Sequence, residues 1–148
     1  MRRRADGLGG LRGTIRQASE RITTMGLDMY LTKRSAARDE QDEMVAYWRK
    51  ANHIHGWFER NVAYGELENC ELYPVSFKQL MSLGITCQLV KANPECAPVL
   101  LPRQEGFFFG GSEYDDDYFM DVDDTLEIIR KVCDALQDGD ELFYHAWW

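Results

Sequence analysis

Val45 to Phe58 reads VAYWRKANHIHGWF, the densest mixture of aromatic, basic and amide side chains in the 148-residue chain. Met44, Trp48, Ala51, His55, Phe58 and Val62 recur at spacings of three and four, the period of one helix face. This predicts a helix over about Asp39 to Tyr64, closed by Gly65 just beyond its end. Asn52 and His55 then lie on or beside an apolar stripe. A buried amide or imidazole without a partner costs about 1–3 kcal/mol, so each needs a reason to be there. Either the fold satisfies them internally, or they line a pocket for a polar ligand. Arg49 lies one turn before Asn52, so it is either a solvated side chain or an anion contact at the pocket rim.

The remaining elements follow from shorter patterns. Leu27 to Thr32 alternates apolar and polar residues, as a strand with one buried face does. Glu141 to Trp148, ELFYHAWW, follows the turn-like Asp138-Gly139-Asp140 and reads as a second strand. The two strands are expected to pair antiparallel and carry about three helices on one face, an α+β fold in one small domain. Ser76 caps a helix running to about Asn93, with Leu80, Leu83 and Cys87 inward and Gly84 weakening its middle. Pro94 to Pro102 reads as a loop, and Phe107 to Phe109 as a short strand ending at Gly110-Gly111, where the backbone can turn or approach closely.

Glu113 to Glu127 holds eight acids and no base. It lacks the central glycine and spacing of a calcium-binding loop, so no metal site is assigned. The acids instead suit a helix start, with Asp121 as N-cap and Asp123 and Asp124 in the first turn. Val122, Leu126, Ile129, Cys133 and Leu136 form the inward stripe of that helix, and Gly139 ends it.

Three motifs carry a resemblance. Met25 to Leu31 (MGLDMYL), the VAYWRKANHIHGWF stretch, and the FFFG and YDxxY of Phe107 to Tyr118 together resemble a family of small phage and prophage proteins without an assigned activity. The resemblance spans most of Met25 to Trp148. It implies a phage or prophage origin, a bacterial host cytoplasm and a compact fold, and it transfers no catalytic residue.

Charge divides the chain. Met1 to Thr24 holds six arginines against Asp6 and Glu20, a balance of +4, which leaves −12 on the rest of a chain of net charge −8. So acidic a body repels phosphate backbones, which argues against nucleic acid as its partner. The first 24 residues read as a basic extension: a start assigned upstream of a true one at Met25, a disordered arm, or a weak amphipathic helix near Ile15 to Ile22. Residues 25–148 then form the globular domain. No run of about 18 apolar residues suggests a membrane span. Cys70, Cys87, Cys96 and Cys133 lack paired ligand spacing, and His53 and His55, two apart, face different sides of a helix.

No nucleophile–base motif or phosphate loop appears, so no catalytic residue and no cofactor is assigned. The leading expectation is a noncatalytic protein binding a small polar, nucleotide-like ligand. Trp48, Arg49, Asn52 and His55 would face a loop bearing Phe109, Ser112, Glu113, Tyr114, Asp115 and Tyr118, whose aromatics otherwise serve as core packing. A second expectation is an acidic module covering a basic surface of a host protein, as DNA mimics do. A third is an enzyme with His55 and Asp115 as acid and base within reach of one substrate atom. The chain is expected to be a monomer or a homodimer.

Overall fold

The computed structural model describes residues 26–37, 41–105 and 110–148. The basic extension before Gly26 and the expected strand at Phe107–Phe109 lie outside them. The strands are β1 (Asp28–Arg34), β2 (Glu43–Arg49), β3 (Tyr73–Val75) and β4 (Glu141–Trp147), in an antiparallel sheet ordered β2-β1-β4-β3. The expected pairing of the first and last strands is present, with Leu31 opposite Tyr144 and Met29 opposite Ala146. The helices are α1 (Asn52–Phe58), continued by a π-helical turn at Glu59–Ala63, α2 (Phe77–Ala92), a short α3 (Ala97–Leu100) and α4 (Asp116–Ala135). Strands and helices do not alternate, and the protein is α+β, as expected.

The long helix expected over Asp39 to Tyr64 is corrected. Its first half is β2. Val45, Tyr47 and Trp48 are strand-forming residues, and Ala46 and Trp48 alternate inward against Met29 and Leu31 of β1. A bulge at Val45, where Leu31 pairs with Ala46 and Thr32 with Met44, leaves Met44 exposed. Lys50 ends the strand in the left-handed region (φ 57°), its amide bonded to the Leu27 carbonyl at 2.7 Å, and the helix begins two residues later. Trp48, Ala51, His55, Phe58 and Val62 all face inward as expected. A 3–4 spacing across a strand–helix junction imitated a continuous helix.

The end of that segment also differs. The π turn closes at Tyr64, in the left-handed conformation (φ 56°, ψ 36°), and Gly65 only donates its amide to the Glu59 carbonyl at 3.0 Å. α2 starts where expected: the Ser76 hydroxyl accepts from the Gln79 amide (3.0 Å) and the Gln79 side chain accepts from the Ser76 amide (2.8 Å). It is one unbroken helix, because Gly84 is buried against Ile129 of α4. The proline-rich stretch is not wholly a loop, since it holds a 3₁₀ turn (Pro94–Cys96) and α3. α4 begins earlier than expected. Its cap is Asp115, which accepts from the Tyr118 amide at 3.2 Å, so Asp121 lies inside the helix. α4 ends at Ala135, before Gly139, which turns the chain into β4. The core lies between the helices and one sheet face, where Phe58 stacks on Tyr144 with ring centres 3.8 Å apart.

Candidate functional site

The expected ligand residues do converge in part, and they converge on Arg103. Its side chain is only 6% exposed. Nε donates to the Glu113 carbonyl at 2.8 Å, and Nη1 reaches Asn52 Oδ1 at 3.2 Å and His53 Nδ1 at 3.3 Å. The Arg103 amide donates to the Tyr114 hydroxyl at 3.0 Å, and Nη2 lies 3.6 Å from the Asp115 carboxylate. The guanidinium sits over the Tyr118 ring, 5.2 Å from its centre. Asn52 uses its other end as well, donating to the Gly111 carbonyl at 2.8 Å. Gly110 (φ 99°) passes so close to Lys50 that a Cβ would meet its carbonyl oxygen at 2.6 Å. The close approach expected of Gly110-Gly111 is therefore made to the chain itself.

Other expected residues are directed elsewhere. Trp48 donates from Nε1 to the Thr125 hydroxyl at 2.9 Å, inside the core. Arg49 pairs with Asp28 at 2.9 Å, and Tyr47 donates to the same carboxylate oxygen at 2.6 Å. His55 Nδ1 lies 2.8 Å from the Tyr144 hydroxyl, and its Nε2 lies 3.9 Å from Glu59. Glu59 also accepts from the Leu67 amide (2.9 Å) and from Gln104 (2.6 Å). The structure thus gives His55 and Asp115 separate sets of partners. Tyr118 is buried and donates to the Leu101 carbonyl at 2.8 Å, while Ser112 and Glu113 are exposed. Phe109 lies outside the described residues.

His53, set aside in the sequence, is fully buried and stacks on Tyr118 with centres 4.2 Å apart. Because Nδ1 faces an arginine, which only donates, the ring is the tautomer with its proton on Nε2. Nε2 is buried without a hydrogen-bond partner among the described residues, 3.9 Å from an Asp121 oxygen. Burial and then Arg103 push His53 down to about 3, against the Tyr118 backbone. Burial takes His55 down to about 4, against Glu59. Burial raises Asp121 to about 6; Arg103 opposes this, and Asp124, Asp117 and Asp115 reinforce it. Both histidines of α1 are neutral at pH 7, held so first by the low polarisability of the core and, for His53, also by the neighbouring Arg103 charge.

Open hollows lie at the far end of the π turn. One, of about 540 Å³, is lined by Glu59, Arg60, Tyr64, Gly65 and Glu66. A second, of about 440 Å³, is lined by Trp57, Asn61, Tyr64, Ser76, Lys78, Gln79 and Ser82. Neither contains a residue of the Arg103 cluster. Tyr64 stands between them with 78% of its surface exposed, and its hydroxyl accepts only a long bond from Gln79 at 3.4 Å. Left-handed backbone in a bulky non-glycine residue costs about 1 kcal/mol or more and collects at binding sites. A π turn does the same. Among the described residues no group of three or more His, Cys, Asp or Glu is placed to hold a metal ion.

Sequence reasoning missed Arg103 and Tyr64. Arg103 had a signal: it is the only Lys or Arg between Lys91 and Arg130, in the most acidic part of the chain. Tyr64 had none, because its meaning lies in a backbone conformation that glycine was expected to take one residue later. Comparison of the chain with protein-family models, curated proteins and solved structures returns no match.

Proposed function

We propose that the protein is a noncatalytic binder of a small, planar, anionic ligand of nucleotide-like character, held at the Tyr64 edge. The observation that carries this reading is an exposed tyrosine, fixed in a strained conformation between two hollows and flanked by Arg60 and Lys78. The ring offers a stacking wall, and the two cations offer phosphate or carboxylate contacts on a body that is otherwise strongly acidic. The reading keeps the ligand class expected from the sequence and moves the site, because Asn52 and Arg103 are spent on closing the fold. Neutral, buried histidines support a noncatalytic role, since neither exchanges protons near pH 7. The resemblance to phage and prophage proteins supports the further proposal that the ligand is a host signalling molecule, sequestered to antagonise host defence.

The test is native mass spectrometry of protein purified from host lysate, beside a binding panel of nucleoside monophosphates and dinucleotides. An adduct on the parent that disappears from Tyr64→Ala and Arg60→Ala, with unchanged thermal midpoints, is the expected result. A parent without any adduct or nucleotide binding would sink the proposal, as would an adduct that both variants retain.

The second reading, an acidic module for a basic host surface, draws on the exposed Asp116 and Asp117 at the start of α4 and the exposed Asp123 and Asp124 two turns further on. It predicts a co-purifying host protein whose binding falls steeply with salt and is lost on reversing Asp116 and Asp117. Among the described residues no helix is long and apolar enough to cross a membrane.

A further inference from the structure

α2 is apolar on two faces. Leu80, Leu83, Cys87 and Val90 point inward and are fully buried. Phe77 (58% exposed), Met81 (40%), Ile85 (56%) and Leu89 (48%) recur every fourth residue along the outside. A second apolar stripe, beyond the one that faces the core, calls for a cover of its own. These four side chains present roughly 400 Å² of apolar surface, the size of the largest patch on a typical monomer, and such a patch is often functional.

We infer that this face pairs with the same face of a second copy, as an antiparallel α2–α2 contact about a twofold axis. Three observations select that occupant. First, the spacing is symmetric about the helix midpoint. An antiparallel pair sets Phe77 against Leu89 of the second copy and Met81 against its Ile85, and the relation holds in reverse, as a self-complementary contact requires. Second, Ser76 to Ala92 contains no acid in a chain of net charge −8, so this is a face where two like-charged copies approach with little repulsion. In the same register Lys78 falls opposite Gln88, and Lys91 falls beyond the partner's stripe, so no two lysines oppose each other. Third, the stripe alone supplies about half of the ~800 Å² per partner of a standard interface, the size of a weak, concentration-dependent contact.

The test is sedimentation equilibrium of the full chain at concentrations up to about 100 µM, a range that resolves micromolar association. The parent is expected to form a concentration-dependent dimer. Met81→Lys and Ile85→Glu, both at exposed positions, should each weaken it about 100-fold, the loss typical of a central interface residue. The double variant should regain most of the association, because each new lysine faces a glutamate of the other copy. Circular dichroism melts should stay within the parent's range, which separates loss of pairing from loss of fold. A monomeric parent overturns the inference and leaves the stripe to another protein or to residues 1–24. A dimer that survives both single variants overturns it too, as does a double variant no better than the singles.

Discussion

The Arg103 cluster and the Tyr64 edge use similar side chains to opposite ends. Each has an arginine, a tyrosine and an amide close together. At Arg103 the groups face one another: the guanidinium spans Asn52, His53, Glu113 and Asp115, and the amide of Asn52 is bonded at both ends. At Tyr64 the ring and Arg60 face open hollows, and the backbone is held in a conformation its own side chain disfavours. A convergence of polar residues is therefore not in itself a binding site. The question is whether their hydrogen-bonding capacity is already consumed. In the first region it nearly is, which makes that region a clamp tying Arg103 and the Gly111–Asp115 segment to α1; in the second the capacity is available.

The sharpest way to break this contrast is to delete each arginine. Arg103→Ala leaves Asn52 Oδ1, His53 Nδ1, the Glu113 carbonyl and Asp115 without their shared donor. It should cost about 3 kcal/mol, as removal of a buried charged hydrogen-bonding group does. Arg60→Ala, at an exposed position, should change stability by less than about 0.5 kcal/mol. Urea denaturation of the two variants checks both figures. Equal losses would mean that the two regions are alike.

Acid titration probes the clamp from another direction. His53 and His55 have folded pKa values of about 3 and 4, below the ordinary 6.5. Each contributes stability that is complete above pH 6.5 and is lost as pH falls towards its folded value. Asp121 works in the opposite sense, because its folded value of about 6 exceeds the ordinary 3.8. Its ionised form is disfavoured in the folded state, so protonation relieves that cost as pH falls from 6 to 4. With two groups losing and one gaining about 1.4 kcal/mol per pH unit, the net loss is on the order of 1–2 kcal/mol per unit in that window. Denaturation midpoints measured from pH 7 to pH 4 should fall. A flat profile would show that the histidines are not held neutral by burial.

Asp121→Asn separates the two signs. Removing a carboxylate that sits half-buried beside other acids should raise stability at pH 7 by about 1 kcal/mol and steepen the acid dependence, since the opposing group is gone. An amide also offers His53 Nε2 an acceptor without charge. If the variant is less stable than the parent at pH 7, Asp121 is a net asset to the clamp and the electrostatic account of it fails.

How much of this the sequence showed depended on whether a pattern was local. The Ser76 cap, the inward Leu80, Leu83 and Cys87, and the pairing of the terminal strands were legible, because each rests on spacing or on a single cap. The β2–α1 junction was not. Trp48, Ala51 and His55 keep a helical spacing even though Trp48 is on a strand, and the break is a single left-handed residue, Lys50, that nothing in its chemistry announces. The cap of α4 was misplaced because the segment offers six aspartates between positions 115 and 124, and the choice of Asp115 over Asp121 shows only in the folded chain, where Asp115 accepts from the Tyr118 amide and lies 3.6 Å from Arg103. Asn52, Glu113, Tyr114, Asp115 and Tyr118, expected around one site, do gather about Arg103, yet which of their hydrogen bonds are already filled is not written in the sequence.

Tyr64 carries the smallest energy and the cleanest test. Glycine adopts φ 56° without steric cost, so Tyr64→Gly should stabilise the protein by about 0.5 kcal/mol, the relief of strain being partly offset by a more flexible unfolded chain. If the tyrosine is kept for a ligand, the same substitution should abolish nucleotide binding in the panel. A gain in stability joined to a loss of binding is the signature of a residue retained for function against the interest of the fold. If Tyr64→Gly instead destabilises the protein, the ring contributes packing that outweighs its backbone strain, and the contrast between a closed and an open region dissolves at this edge.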